Sequence, residues 1–219
     1  DTGSYVAWYN DMEIGHGKSE EEARRSGIEE MNEVVGEGSF DEDKIVYITQ
    51  NDSFTEIYLY SLSNRQKTLI YRLSESSKPP KISWAASSKK ILLSFLGDFI
   101  IIDAQYPKNI TSLKNIINFT PSQIQWDSQS DNLLYAQSQN TIYKIDLFNK
   151  TADKIFESKS AELDPIFFID GNDVFYIEQA TAQNALNKYN LNFKTNKKIL
   201  DIAKSADYKF IKGANNYLG

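Results

Sequence analysis

The chain contains no cysteine and a single histidine, His16, among its 219 residues. Without thiols there can be no disulfide, thiolate metal site or cysteine nucleophile, and the redox compartment stays open. One histidine leaves too few ligands for an ordinary zinc site, and no Ser-His-Asp triad can form around any other residue. His16 itself is read as a turn residue. Glycine is scarce, at 10 residues, and none forms a Gly-rich phosphate loop followed by Lys-Ser/Thr. No apolar run reaches the roughly 18 residues that a bilayer-spanning helix requires. Residues 1–15 lack the basic start and apolar block of a signal peptide. The chain opens on Asp1 rather than Met, which leaves an upstream signal or anchor open. A basic excess is also missing. The formal charge is −6, which argues against a phosphate-backbone interface and so against nucleic acid as a partner of the β region.

Aromatic residues, by contrast, are abundant, with 13 Tyr, 12 Phe and 3 Trp in a chain that is 41% hydrophobic and 25% charged. Such a chain can bury a sizeable core, and its Tyr and Phe suit pleated, half-buried surfaces. From Asp41 onward, short β-rich runs follow one another with polar turns between them: "KIVYIT", "EIYLYSL", "TLIYRL", "KISW", "KILLSF", "FIIIDA" and on to "YKFIK". No helical period separates them, so the expected class is mainly β and antiparallel.

Those runs repeat. Trp84 and Trp126 are 42 residues apart, as are Leu92 and Leu134; Phe168 follows Trp126 by 42, and Phe210 follows Phe168 by 42. "DVFYIE" matches "NLLYAQ", and "LNKYNL" matches "IYKIDL". A period of about 40–45 residues with four strands per unit is the signature of β-propeller blades. The spacing predicts roughly four units over residues 39–219, with the ring possible only as part of a longer propeller or as a small closed one. It also predicts that Trp84, Trp126, Phe168 and Phe210 pack between blades. The rival architecture is a β-sandwich whose period is accidental.

Residues 1–38 have a different texture and are expected to form a small α+β element. One or two short strands surround a turn at Asn10-Asp11. Ser19 then reads as a helix N-cap and Glu22 completes a capping box. Ala23, Ile28, Met31 and Val35 follow as an apolar stripe, expected to pack on the strands of residues 5–15. Gly36 to Ser39 ends the helix and links it to the β region. Glu20 to Glu22 are first-turn residues favoured by the helix dipole rather than general acids.

The unit "W-x-x-x-S-x-x-L-L-Y … I-Y-x-I-D-L" resembles the TolB-like, WD-repeat-like propeller family over residues 42–219. The Trp-Asp pair of that family occurs once, as Trp126-Asp127, while Trp84 is followed by Ala85 and Phe168 by Ile169. The resemblance implies a non-enzymatic scaffold that binds a protein or peptide on a blade-end face, with an extracytoplasmic location favoured over a cytoplasmic one. The stretch carrying His16, Gly17, Ser19, Glu21, Glu22 and Ala23 is similar to the strand–turn–helix part of HicB-like antitoxin domains. A competing resemblance is to a PEGA-type surface module, through "WYNDMEIGHG". They imply a regulatory module fused to an accessory β domain, or a surface protein.

No catalytic residue, cofactor or metal ligand is expected. Asp127, Asp131, Asp170 and Asp173 fall in turns, but their spacing matches no calcium loop. A carbohydrate-active propeller enzyme, acting through paired carboxylates, is the third functional reading. Sequons at Asn51, Asn109, Asn118 and Asn149 are expected by chance in an Asn- and Ser-rich chain.

Overall fold

The computed structural model describes residues 5–9, 12–17, 44–50, 54–74, 80–95, 97–158, 163–179 and 182–204. The expected helix from Ser19 to Val35, with its cap at Ser19 and Glu22, lies outside the described residues, as does Phe210. Every extended element among the described residues is a β-strand, and one 3-10 turn spans Leu113–Asn115. The chain forms two compact units, Asp1–Leu113 and Lys114–Gly219.

The first unit holds two antiparallel meanders. Strands β1 (Tyr5–Tyr9), β2 (Met12–Gly17), β3 (Lys44–Gln50), β4 (Thr55–Ser61) and β5 (Gln66–Leu73) form a sheet in the order β2-β1-β3-β4-β5. The two strands flanking Asn10-Asp11 therefore join the same sheet as the first β run, through pairing of Tyr5 with Thr49 and Trp8 with Val46. Strands β6 (Lys81–Trp84), β7 (Lys90–Phe95), β8 (Asp98–Asp103) and β9 (Ile110–Ser112) form the second sheet in chain order. Alternation along β3 sends Val46 and Ile48 to one face and Ile45 and Tyr47 to the other. The Val46 face, with Ile57 and Leu59, shares one core with Ile82, Trp84, Ile91 and Leu93 of the second sheet. The Ile45 face forms a smaller cluster with Tyr60.

The second unit repeats the plan. Strands β10 (Gln123–Trp126), β11 (Leu133–Ser138), β12 (Thr141–Asp146) and β13 (Thr151–Glu157) make one four-stranded sheet. Strands β14 (Leu163–Asp170), β15 (Asp173–Glu178), β16 (Asn184–Asn190) and β17 (Thr195–Ile202) make the next. Tyr135, Ile142 and Phe156 of the first pack on Phe167, Ile169, Val174 and Tyr176 of the second. The expected four-stranded unit is thus the unit observed.

Two features recur. In three sheets the pairing of the last two strands shifts register, at Ile57/Tyr58, Ile142/Tyr143 and Leu186/Asn187. A bulge there increases local twist and turns the outer strand away from its sheet's mean plane. The other feature is a polar strut between the inner strands of the second unit. The Gln123 side chain accepts a hydrogen bond from the Phe167 N–H at 2.9 Å and donates to the Phe167 carbonyl at 3.4 Å. One amide side chain thus satisfies both outward backbone groups of an inner-edge residue, as a neighbouring strand would.

Replacing Gln123 by Leu keeps the bulk and strands both Phe167 groups. The expected loss is about 1–3 kcal/mol of unfolding free energy, read from urea melts of the two chains. A Gln123→Leu chain as stable as the parent would show that water substitutes for the strut.

Candidate binding site on the second unit

Each of the three four-stranded sheets is closed at one end by two turns, one joining its first and second strands and one joining its third and fourth. A short hydrogen bond stitches the two turns together. Ala104 N–H donates to the Lys89 carbonyl, Leu147 N–H to that of Asn132, and Leu191 N–H to that of Asn172, each at 2.8 Å. Just before the donor stands a residue whose side-chain oxygen closes the second turn. Asp103 accepts from the N–H groups of Gln105 and Tyr106, Asp146 from Phe148 and Asn149, and Asn190 from Asn192 and Phe193. These are Asx turns, the local bond that makes Asp and Asn common at reversals. The Asn149 backbone N–H and side chain, chiefly, hold the Asp146 carboxyl below the usual carboxylate range.

Three of these turns have the same four-residue form: Leu62 to Arg65, Leu147 to Lys150 and Leu191 to Lys194. The last residue of each has a positive φ, 55° at Arg65, 55° at Lys150 and 53° at Lys194. This pattern of Leu, two variable residues and a long basic residue was not among the repeats recognised in the sequence. Aligning Leu62, Leu147 and Leu191 exposes it.

Two of these turns carry an aromatic side chain at the tip. Phe148 is 82% exposed, Phe193 79%, and Tyr106, in the corresponding loop of β8 and β9, 65%. In the second unit the two Phe tips lie at one end. Phe156 of β13 stacks at a tilt on Tyr176 of β15, with ring centroids 4.5 Å apart, and Ser158 donates to Glu178 at 2.7 Å. Residues rise together along the two strands, so β13 and β15 run side by side in the same direction. The starts of both strands, and with them the turns before β13 and before β17, therefore share an end.

Between β13 and the last sheet is a cleft of about 520 Å³. Its floor is the Phe156–Tyr176–Tyr189 cluster, with Phe156 and Tyr189 centroids 4.8 Å apart. Glu178 stands at one end, bonded by Ser158 and by Asn187, and Lys194 at the other. Asn196 donates to the Tyr176 hydroxyl at 2.8 Å. Lys154 is tied to Glu157 at 2.7 Å on the wall. Burial, followed by the Glu178 charge, pushes the Tyr176 phenol up to about 12 against the opposing Asn196 bond. Burial, then the charge and hydrogen bond of Asp127, does the same to Tyr135.

The residues expected to pack between blades are placed unequally. Trp84 is 6% exposed and lies in the first unit's core, paired with Ile91. Trp126 pairs with Leu134 in the corresponding row but is only half-buried. Its truncation should cost less than the ~3–5 kcal/mol of a fully buried aromatic residue. In the last sheet that row, next to the Asn190 turn, belongs to Ile169 and Val174, while the half-buried Phe168 pairs with Phe175 one place along. The frame moves because the turn lengths differ. The Asp127 N–H meets the Leu133 carbonyl across five residues, whereas in the preceding sheet the Ala85 N–H meets that of Lys90 across four. A constant spacing of 42 therefore lands one residue early. His16 lies in β2 opposite Val6 in register, and its side chain lies outside the described residues.

Of the turn aspartates, Asp127 accepts from the Gln129 N–H and bonds Tyr135. Asp131 lies in the same turn, and Asp170 is the last residue of β14, beside the β14–β15 turn. Asp173 pairs with Lys188 at 2.6 Å and Asn190 at 2.8 Å. Burial opposes the Asp173 charge, but these two partners outweigh it and hold the carboxyl below its ordinary range. Among the described residues no group of three or more His, Asp or Glu is placed to hold a metal ion. Nor is any helix among them long and apolar enough to cross a membrane.

No protein-family model matches the chain, and no curated protein matches it. Solved structures do. TolB from Acinetobacter baumannii is 14% identical, with a TM-score of 0.50, over 77% of this chain and 43% of that one. An oligogalacturonate lyase in complex with manganese is 10% identical, with a TM-score of 0.53, over 79% of this chain and 54% of that one. At such identities the likeness is one of fold alone. The fold is of β-propeller type, built from four-stranded blades, and the chain spans about half the length of the propellers it matches.

The two shifted phenols give a pH test. An unfolded tyrosine ionises near 10.0, and these two ionise at about 12 when folded. Their contribution to stability is complete below pH 10 and is lost as the pH rises through 12. An ultraviolet titration should show a late tyrosinate fraction near pH 12, reduced in Tyr135→Phe and in Tyr176→Phe. An unchanged late fraction in both variants would show that other tyrosines carry it.

Proposed function

We propose that the chain is a non-enzymatic binding module that presents the turn end of its second unit to a protein or peptide partner. The supporting observation is the pair of nearly fully exposed phenylalanines, Phe148 and Phe193, on turns held by side-chain and backbone hydrogen bonds. Neither ring contributes to a core, and a polar residue would serve either turn as well. Burying such a ring in a partner gains roughly 1.5–3 kcal/mol, and a preformed turn loses little entropy on docking. Asp127, Asp131 and Asp170 in and beside the neighbouring turns, with Lys150 and Lys194, give the same end charges of both signs. That mixture suits a protein surface better than a uniformly charged polymer.

The likeness to a lyase solved with manganese supports a second reading, a carbohydrate-active enzyme. Assaying the purified chain on oligogalacturonate with and without Mn²⁺ addresses it directly: metal-dependent turnover would displace the binding reading. The antitoxin-like reading places the function in residues 1–36; its strands Tyr5–Tyr9 and Met12–Gly17 are described, and its helix lies outside the described residues.

The binding reading is tested by placing a photo-crosslinking phenylalanine at position 148, 193 or 139 and irradiating in lysate of the source organism. Gln139 is an exposed turn residue at the opposite end of the same sheet. One discrete adduct from positions 148 and 193, and none from 139, is the expected result. Phe148→Ser and Phe193→Ser should change stability by no more than about 0.5 kcal/mol. Equal labelling from all three positions, or none, counts against a docking face here.

A further inference from the structure

The cleft beside β13 has features that the turn-end reading does not use. Strand β13 is the outermost strand of its sheet, so one row of its backbone N–H and C=O groups has no neighbouring strand in that sheet. Beyond the bulge, Phe156, Glu157 and Ser158 all line the cleft. Consecutive residues of a strand point to opposite faces. Their joint presence means that the cleft runs along the strand's edge and not over one face alone. Charges along it are asymmetric. Lys154 is tied to Glu157, and Glu178 accepts from Ser158 and Asn187, whereas Lys194 makes no ion pair or side-chain hydrogen bond among the described residues. The floor is apolar, with Phe156 tilted against Tyr176 at 42° and against Tyr189 at 48°.

We infer that this cleft binds a short extended peptide segment, which adds as a strand along the free edge of β13. Its apolar side chain lies over Phe156 and Tyr189, and its acidic side chain pairs with Lys194. Strand addition takes affinity from main-chain hydrogen bonds and selectivity from pockets for alternate side chains. The Val174-to-Glu178 length of β15 spans roughly 14 Å, enough for about four extended residues, and the volume lies in the range of ligand pockets. An oligosaccharide fits less well, since Phe156 and Tyr176 are buried and the unpaired strand edge would go unused. The acidic side chain belongs at the Lys194 end, because Glu157 and Glu178 repel a second anion at the other. This goes beyond the docking face proposed above and shares only Lys194 with it.

The test uses the full chain and fluorescently labelled five-residue peptides, N-acetylated and C-amidated, each with one Asp, one Leu and three Ser in every order. A matched set carries Lys in place of Asp. Anisotropy should show saturable binding for a subset of Asp peptides. Lys194→Glu should weaken those about fivefold to tenfold and strengthen their Lys counterparts, with circular dichroism melts confirming that the variant folds. Hydrogen exchange should slow at the amides of residues 153–158 when peptide is bound. N-methylation of alternate peptide amides should abolish binding. Absence of binding by every Asp peptide, a charge swap that changes neither set, or binding without protection along β13 would each overturn the proposal. So would competition by an acidic oligosaccharide that outlasts N-methylation.

Discussion

Each of the two units depends on burying one twisted antiparallel sheet face to face against another. Such a sheet has two apolar faces and cannot cover either one itself. Alternation along each strand sorts the side chains, so that Val46 and Ile48 serve one contact while Ile45 and Tyr47 serve another. In the second unit Phe156, Phe167 and Tyr176 form the equivalent contact. The apolar gain is large, but it is non-directional and would tolerate sliding. Register between the inner strands needs a directional bond, and the Gln123 amide supplies one by pairing with both backbone groups of Phe167.

Within each unit the facing sides of two sheets are committed to each other, and the turn ends and outer edges are surfaces that this contact leaves for recognition. Both are shaped by local chemistry. At the ends, Asp146 and Asn190 fix the chain reversals, and the Leu147 and Leu191 amides tie each reversal to the adjacent turn. At the outer edge, the recurring register shift at Ile142/Tyr143 and Leu186/Asn187 adds twist where the last strand leaves its sheet. Twisting the outer strands away from each other's sheets opens the space between β13 and the last sheet, while the inner strands stay packed. The cleft is in this sense a consequence of the bulges.

Much of the architecture was legible in the sequence because it depends on period and alternation. The 42-residue recurrence of Trp84 and Trp126 corresponds to real structural equivalence, since both end the first strand of a sheet and pair in the same row. Extending the same spacing to Phe168 misses by one residue, because the Asp127-to-Leu133 turn is one residue longer than the Ala85-to-Lys90 turn of the preceding sheet. Spacing counts residues, whereas packing follows hydrogen-bond register, and turn length lies between the two. Burial of Trp126 was likewise beyond a repeat argument: equivalent register does not give equivalent cover when the facing sheets differ. The cleft left no local signal, because its walls come from β13, β15 and the turn before β17, over forty residues of chain. The Leu-x-x-basic turn is carried by only two fixed positions, Leu and a long basic residue, between the last two strands of three sheets.

That turn connects fold and recognition most directly. Its last position requires a left-handed backbone, with φ between 53° and 55° at Arg65, Lys150 and Lys194. Glycine takes this conformation without a Cβ penalty, and asparagine tolerates it better than most residues. All three turns nevertheless carry a long cation there, accepting a conformational cost that a glycine would remove. At this position the side chain is thrown outward from the reversal, with its charge in solvent and its stem along the sheet end. In the last sheet this places Lys194 beside the exposed Phe193 and at the mouth of the cleft. The residue that closes the hairpin is therefore also the one that sets the charge at the cleft's entrance. A change to glycine at position 194 would relieve backbone strain while removing that charge, and so would separate the stability of the turn from its use in binding.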